Sequence, residues 1–115
     1  MPYSALLRDV FGFSTFRPGQ EDIVQAVTEG KDVLAIMPTG GGKSLCFQLP
    51  ALLREGVTVV ISPLIALMRD QVRALQAVGV SAGALTSGNT PEETDAIWEA
   101  LENGRLKLLY IAPER

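Results

Sequence analysis

The run Met37-Pro38-Thr39-Gly40-Gly41-Gly42-Lys43-Ser44 has the residue types and spacing to hold a phosphate group. Three successive glycines allow backbone conformations closed to other residues and turn N–H groups toward an anion. A helix opening just after them adds its unpaired N–H groups and the positive end of its dipole. In that arrangement Lys43 reaches the β- and γ-phosphates of a nucleotide, and Ser44 offers its hydroxyl to a Mg²⁺ ion. Thr39 and the backbone of Gly40, Gly41 and Gly42 complete the cradle. The strict G-x-x-x-x-G-K-[ST] spacing wants Gly where this chain has Met37, so the strict pattern fails while its phosphate-facing part is intact. The bland alternative is a glycine-rich loop that binds nothing.

Such a loop needs a buried strand before it and a helix after it. Val33-Leu34-Ala35-Ile36 follows Asp32 without a charge and predicts a strand over residues 32–37. The helix opens at Lys43 and runs into Leu45-Cys46-Phe47-Gln48-Leu49; Pro50 is expected to kink or divide it, lacking an N–H and crowding the preceding turn. Upstream, Ser4 is expected to cap a short helix carrying Leu6, Leu7, Val10 and Phe11, with Gly12 as its stop. Pro18 suits the first turn of a second helix, with Ile23, Val24 and Val27 on its apolar face and Gly30 at its end.

Downstream the pattern alternates. Val57-Thr58-Val59-Val60-Ile61 reads as a buried strand, and Ser62-Pro63 as cap and first-turn proline of a long helix. That helix carries an apolar stripe of Leu64, Leu67, Met68, Val72, Leu75 and Val78, with Arg69, Arg73 and Gln76 on another face. A weak strand is expected around Ala82 to Thr86, with Ser87-Gly88-Asn89 as the turn after it. Thr90-Pro91-Glu92-Glu93 is a capping box opening a helix expected to bury Ile97, Trp98 and Leu101. Gly104 stops that helix before a last strand from Leu106 to Ile111. Near-continuous apolar strands separated by helices predict an α/β fold: a parallel sheet covered on both faces, with ligands at the carboxyl ends of its strands.

Composition narrows the class. At 115 residues, 47% hydrophobic and 20% charged, the chain can bury a core, within at most one small domain. Its net charge of −3 gives no overall pull on nucleic acid, so any such contact is local. The single Cys46 excludes an internal disulfide and, among apolar neighbours, reads as a core thiol; the absence of His excludes a His-based metal site or general base. No leading segment resembles a signal peptide and no apolar run approaches the ~20 residues of a membrane span, so a soluble, intracellular protein is expected.

Four blocks, in order, resemble the RecQ family of DNA helicases, within helicase superfamily two. They are Phe11-Gly12-Phe13-Ser14-Thr15-Phe16-Arg17-Pro18-Gly19-Gln20, similar to that family's motif zero; the P-loop run from Met37 to Pro50, including its Met; Ser62-Pro63-Leu64-Ile65-Ala66-Leu67-Met68-Arg69-Asp70-Gln71-Val72, similar to motif Ia; and Leu109-Tyr110-Ile111-Ala112-Pro113-Glu114-Arg115. The resemblance implies a P-loop NTPase fold of RecA-like type, here ending before the Walker B strand and its Asp-Glu-Ala-His motif. It implies a motif-zero region over residues 1–30, followed by strand and helix alternation over residues 31–115. It also implies ATP and Mg²⁺ as cofactors, with zinc only in regions beyond these residues.

Residue by residue, the resemblance gives Gln20 the adenine edge and places the base between an aromatic ring, Phe13, and the guanidinium of Arg17. Read alone, Phe13 and Phe16 would be core residues and Arg17 a solvated charge; between Phe13 and Phe16 the choice stays open. Ser62, Arg69 and Arg115 are implied contacts to the single-stranded DNA backbone, while Arg69 and Arg73 equally suit an ordinary polar helix face. Glu114 would position neighbouring donors. The implied activity is ATP-driven, three-prime to five-prime unwinding of single-stranded or forked DNA in recombination and repair, in the cytoplasm or nucleus. Two other classes stay open: a different P-loop enzyme, such as an RNA helicase or a small-molecule kinase, and a truncation product that binds ATP or DNA without turnover. The 115-residue polypeptide itself is expected to bind nucleotide weakly at best, to lack unwinding activity, and to be unstable, because a strand beside Val33–Ile36 would come from later sequence.

Overall fold

Thr90-Pro91-Glu92-Glu93 shows most directly how local sequence becomes structure in the computed structural model, which describes residues 2–34 and 43–113. The Thr90 side chain accepts from the Glu93 N–H at 3.1 Å, and the Glu93 carboxylate accepts from the Thr90 N–H at 2.9 Å. These reciprocal bonds satisfy two donors at the start of a helix, where no carbonyl is available to them. They also hold the Glu93 carboxyl below the usual glutamate range, with a smaller contribution from the charge of Arg69.

The elements in chain order are α1 (Pro2–Asp9), α2 (Gln20–Thr28), α3 (Leu45–Leu53), β1 (Thr58–Ile61), α4 (Ile65–Ala77), β2 (Ala82–Leu85), α5 (Pro91–Glu102) and β3 (Leu108–Ile111). They fall into two compact units, Met1–Glu55 and Gly56–Arg115. The fold is α/β, with a parallel sheet flanked by helices as expected.

The first unit is helical in its described residues. Its core joins Tyr3 and Leu7 of α1, Val24 of α2, and Leu45 and Leu49 of α3, with Leu6, Phe11, Phe16 and Leu53 packed around them. At the end of α2 the N–H of Gly30 bonds the Val27 carbonyl and that of Lys31 bonds the Ala26 carbonyl, the paired closure of a Schellman motif. Three local expectations need correction. Ser4 lies inside α1 and is no cap, because the helix already begins at Pro2. Pro18 precedes α2, which begins at Gln20. Pro50 does not divide α3: it removes a single donor, and the Arg54 N–H bonds the Pro50 carbonyl at 3.1 Å, so the helix reaches Leu53.

The strand expected over residues 32–37 lies partly outside the described residues. Its described part, Asp32 to Leu34, pairs with no strand, and Leu34 is 90% exposed. Thr39, Gly40, Gly41, Gly42, Glu114 and Arg115 also lie outside the described residues.

In the second unit three parallel strands lie in the order β1-β3-β2. The register sets Val59, Leu109 and Gly83 side by side, then Ile61, Ile111 and Leu85. That face meets α5 through Ile97, Ala100 and Leu101. Gly83 is small for a reason visible here, since a Cβ on it would come within 2.8 Å of Ile97 Cγ1. On the α4 side the buried Tyr110 hydroxyl donates to Gln71 Oε1 at 2.9 Å, and Met68, Val72 and Leu75 of α4 are buried.

Here too the sequence expectations need revising. Helix α4 starts at Ile65 with Leu64 at its cap position; Ser62 closes a short turn by accepting from the Leu64 N–H at 3.2 Å. Leu64, Leu67 and Val78 are exposed, so only half of the expected apolar stripe is buried. Trp98 is 46% exposed and not a core residue, because Ile97 and Leu101 already turn the inner face of α5 to the sheet.

Candidate nucleotide-binding cleft

The segment Arg17-Pro18-Gly19-Gln20 builds one wall of this cleft. The Gln20 N–H donates to the Arg17 carbonyl at 3.0 Å, closing a four-residue turn. Gly19 has φ 83° and ψ −16°, the third position of a type II turn, where a Cβ would be strained. Proline at the preceding position sets φ for the same turn. The sequence Pro-Gly is therefore explained by geometry.

The turn also fixes a side chain. The Arg17 N–H donates back to Gln20 Oε1 at 2.7 Å, and Gln20 is only 3% exposed. A buried amide is held in orientation by its hydrogen bonds, since loss of its partners would strand a polar group. Gln20 is a built feature, not a helix residue that happens to be polar.

Phe13, Thr15 and Arg17 join Gln20, Ser44 and Leu45 around a cleft of about 120 Å³. The two phenylalanines differ in placement: Phe16 packs against the helical core, whereas Phe13 is 51% exposed and lines the cleft. Thr15 is a lining residue that sequence reading missed. The chain bends at Ser14 and Thr15, and no periodic pattern in the sequence singles Thr15 out.

Ser44 stands at the cap position of α3 in helical conformation, and its side chain makes no capping bond. Its carbonyl accepts from the N–H groups of Phe47 and Gln48, so the helix is already turning there. Lys43 is exposed beside it. A hydroxyl not consumed by its own helix suits a hard cation such as Mg²⁺, which takes oxygen donors and few protein ligands. Among the described residues no group of three His, Cys, Asp or Glu side chains stands together to hold a metal by itself. Cys46, one residue into the helix, is buried, and burial pushes its thiol up.

The other nominated residues lie in the second unit. Ser62 follows β1 at its carboxyl end, and the oxygen of its side chain accepts from Leu64, leaving its own proton out of that bond. Arg69 sits on α4 and donates from Nη2 to Thr86 Oγ1 at 2.9 Å. Arg73 is exposed and reaches Asp70 at 3.9 Å, a surface pair of little energetic weight. No helix among the described residues is long and apolar enough to cross a membrane.

Comparison with known proteins adds an independent line. A family model described as DEAD/DEAH box helicase matches residues 17–115. The chain is 50% identical over 111 residues to the ATP-dependent DNA helicase RecQ of Haemophilus influenzae, covering 96% of this chain and 18% of that protein. It is 49% identical over 112 residues to the ATP-dependent DNA helicase RecQ of Bacillus subtilis (96% of this chain, 19% of that protein). It is 48% identical over 112 residues to the ATP-dependent DNA helicase Q1 of Rattus norvegicus (96% and 18%). The chain thus spans less than a fifth of the length of these curated relatives. With half its residues shared with RecQ-type DNA helicases along nearly its whole length, the chain belongs to the DEAD/DEAH box helicase family.

Proposed function

We propose that the chain carries the ATP-binding part of an ATP-dependent DNA helicase, which moves three-prime to five-prime along single-stranded DNA in recombination and repair. The adenine occupies the cleft, its faces against Phe13 and Arg17 and its edge on the Gln20 amide. The phosphates lie on Thr39, the backbone of Gly40, Gly41 and Gly42, and Lys43. The Ser44 hydroxyl would hold a Mg²⁺ ion, which would neutralise charge at the phosphate oxygens. Hydrolysis is phosphoryl transfer to water, promoted by positioning and by donors aimed at developing charge. Ser62 and Arg115 serve the single-stranded or forked DNA backbone directly, as hydroxyls and guanidiniums do, and Arg69 serves the same surface. The protein acts inside the cell, where its DNA substrate is. Its oligomeric state plays no part in this reading.

The observation that supports this most is the convergence of Phe13, Arg17 and the fixed Gln20 with Ser44 on one cleft. An aromatic ring, a guanidinium and an oriented amide recognise a base; a hydroxyl at the start of the post-glycine helix serves the phosphate end. One small cleft holds both halves of a nucleotide's chemistry.

The test is ATP hydrolysis with and without single-stranded DNA, on the 115-residue chain and on the full-length protein. Strong stimulation by DNA in the full-length protein, with no turnover by the 115-residue chain, is expected. Absence of stimulation in both would leave a P-loop protein with another task; stimulation by RNA alone would favour an RNA helicase.

A further inference from the structure

Within the second unit, beside β2, lies a larger cavity of about 310 Å³ whose wall includes Arg69, Arg73, Gln76, Asn89 and Glu93. Its polar groups are tied to the backbone in an ordered way. Gln76 Nε2 donates to the Ala82 carbonyl at 2.9 Å, and Asn89 Nδ2 donates to the Ala84 carbonyl at 2.8 Å. At the centre is Thr86, which is fully buried. Its hydroxyl accepts from Arg69 Nη2 at 2.9 Å and from the Gly88 N–H at 3.3 Å, and donates to Asn89 Oδ1 at 3.0 Å. A hydroxyl has one proton and two lone pairs, so Thr86 uses its whole capacity.

Arg69 closes this arrangement from α4. Its guanidinium also lies against the loop backbone, since a Cβ on Gly88 would stand 2.8 Å from Nη2. The loop it holds, Ser87-Gly88, leaves the carboxyl end of β2. Because the three strands are parallel, that end shares a rim with Ser62 after β1 and Ala112 after β3. Ligands of parallel sheets meet this rim.

We infer that Arg69 is a positioning residue: through Thr86 it fixes the Ser87-Gly88 loop on the DNA-facing rim, and its effect on DNA passes through that loop, not through a phosphate contact of its own. The inference rests on the helicase reading. It assigns work to Thr86, which sequence alone marked only as the end of a weak strand.

The test uses the full-length protein and follows ATP hydrolysis against single-stranded DNA concentration at several salt concentrations, in wild type, R69A, T86V, T86S and the R69A/T86V double variant. R69A and T86V should each raise the half-saturating DNA concentration roughly tenfold, the double variant no further than either, as for partners in one network. The rate at saturating DNA should hold, T86S should restore wild-type behaviour, and the slope of log affinity against log salt should stay unchanged. A slope lowered by about 0.7 in R69A, the signature of one lost phosphate contact on a single strand, would overturn the inference. So would a wild-type response in T86V, or a fall in the saturated rate matching the loss of affinity. Should T86V fail to fold, G88A takes its place: it keeps both side chains and pushes the guanidinium aside, and it must reproduce R69A with an unchanged slope. A wild-type protein that DNA does not stimulate fails at the helicase reading, a result visible before any variant is compared.

Discussion

The two units spend their polar side chains differently. In the first, buried Gln20, Ser44, which caps nothing, and exposed Arg17 line one cleft, and Lys43 is exposed next to Ser44 in the chain. In the second, Thr86 is saturated by Arg69, Gly88 and Asn89, Gln76 and Asn89 hold edge carbonyls of β2, and Gln71 holds Tyr110. Both sets border a space, but the second is bonded mainly to its own chain. A polar residue is a candidate for ligand chemistry when its local structure orients it without using it up. By that criterion Ser44, whose side chain makes no capping bond, ranks above Arg69, although both carry equally plausible chemistry as bare sequence.

The most severe way to break this contrast is at Lys43. K43A in the full-length protein should reduce ATP turnover to background, since no neighbouring group can replace an ammonium on the β- and γ-phosphates. Unchanged turnover, measured as phosphate release, would remove the central claim about the first unit.

The second unit has its own weak point. The β2 edge has side chains on its outward carbonyls, but on β1 Val59 is exposed and Ile61 is 70% exposed. Among the described residues that edge pairs with no further strand, and an apolar edge of this kind is a template for pairing with other chains. Together with Leu34 in the first unit, it predicts that the isolated 115-residue chain aggregates or fails to melt cooperatively. Light scattering and thermal denaturation check this, and I61K should raise the soluble fraction by placing a charge on the edge. A soluble monomer with a sharp unfolding transition would count against it.

Next in size is Gln20. On the proposed reading, Q20A should raise the KM for ATP about tenfold while changing kcat less, because it removes the amide assigned to the base and takes away the acceptor of the Arg17 N–H. Discrimination between ATP and GTP should fall in parallel. Equal KM values for wild type and variant would place adenine elsewhere than in this cleft.

Much of this was legible in the residues, for identifiable reasons. The capping box at Thr90, the glycine stop after α2 and the parallel strands are encoded within a few residues of where they act. The errors came where a residue had two local uses. Ser62 could cap a helix or close a two-residue turn, and it closes the turn. Pro18 could open a helix or set a type II turn, and Gly19 with its positive φ selects the turn. Trp98 was expected inside because it neighbours Ile97 and Leu101, but a helix lying on a sheet buries a limited arc. Thr86 could not have been found at all, since its role depends on a guanidinium brought from α4 by the fold. Local chemistry is written locally, whereas a hub is written by topology.

The smallest effect bears on the region where sequence and structure agree best. A peptide spanning residues 87–104 carries the capping box without tertiary support, so its helicity reads the cap alone. T90A should cost about 1 kcal/mol of helix stability, visible as lost ellipticity. The Glu93 carboxyl is held below its ordinary value, first by the Thr90 backbone and side chain. The sign follows from that direction: the folded form favours the ionised carboxylate, so its contribution is present above the ordinary glutamate range and fades as acid protonates the folded form. The wild-type peptide should therefore lose more helicity on acidification than E93Q, which has no such proton to gain. The two peptides differ only at this position, so the difference between the two curves isolates Glu93. Parallel curves would show that the bonds at Thr90 depend on the folded unit around them, and the contrast between self-sufficient and borrowed local structure would then have to be drawn at a different helix.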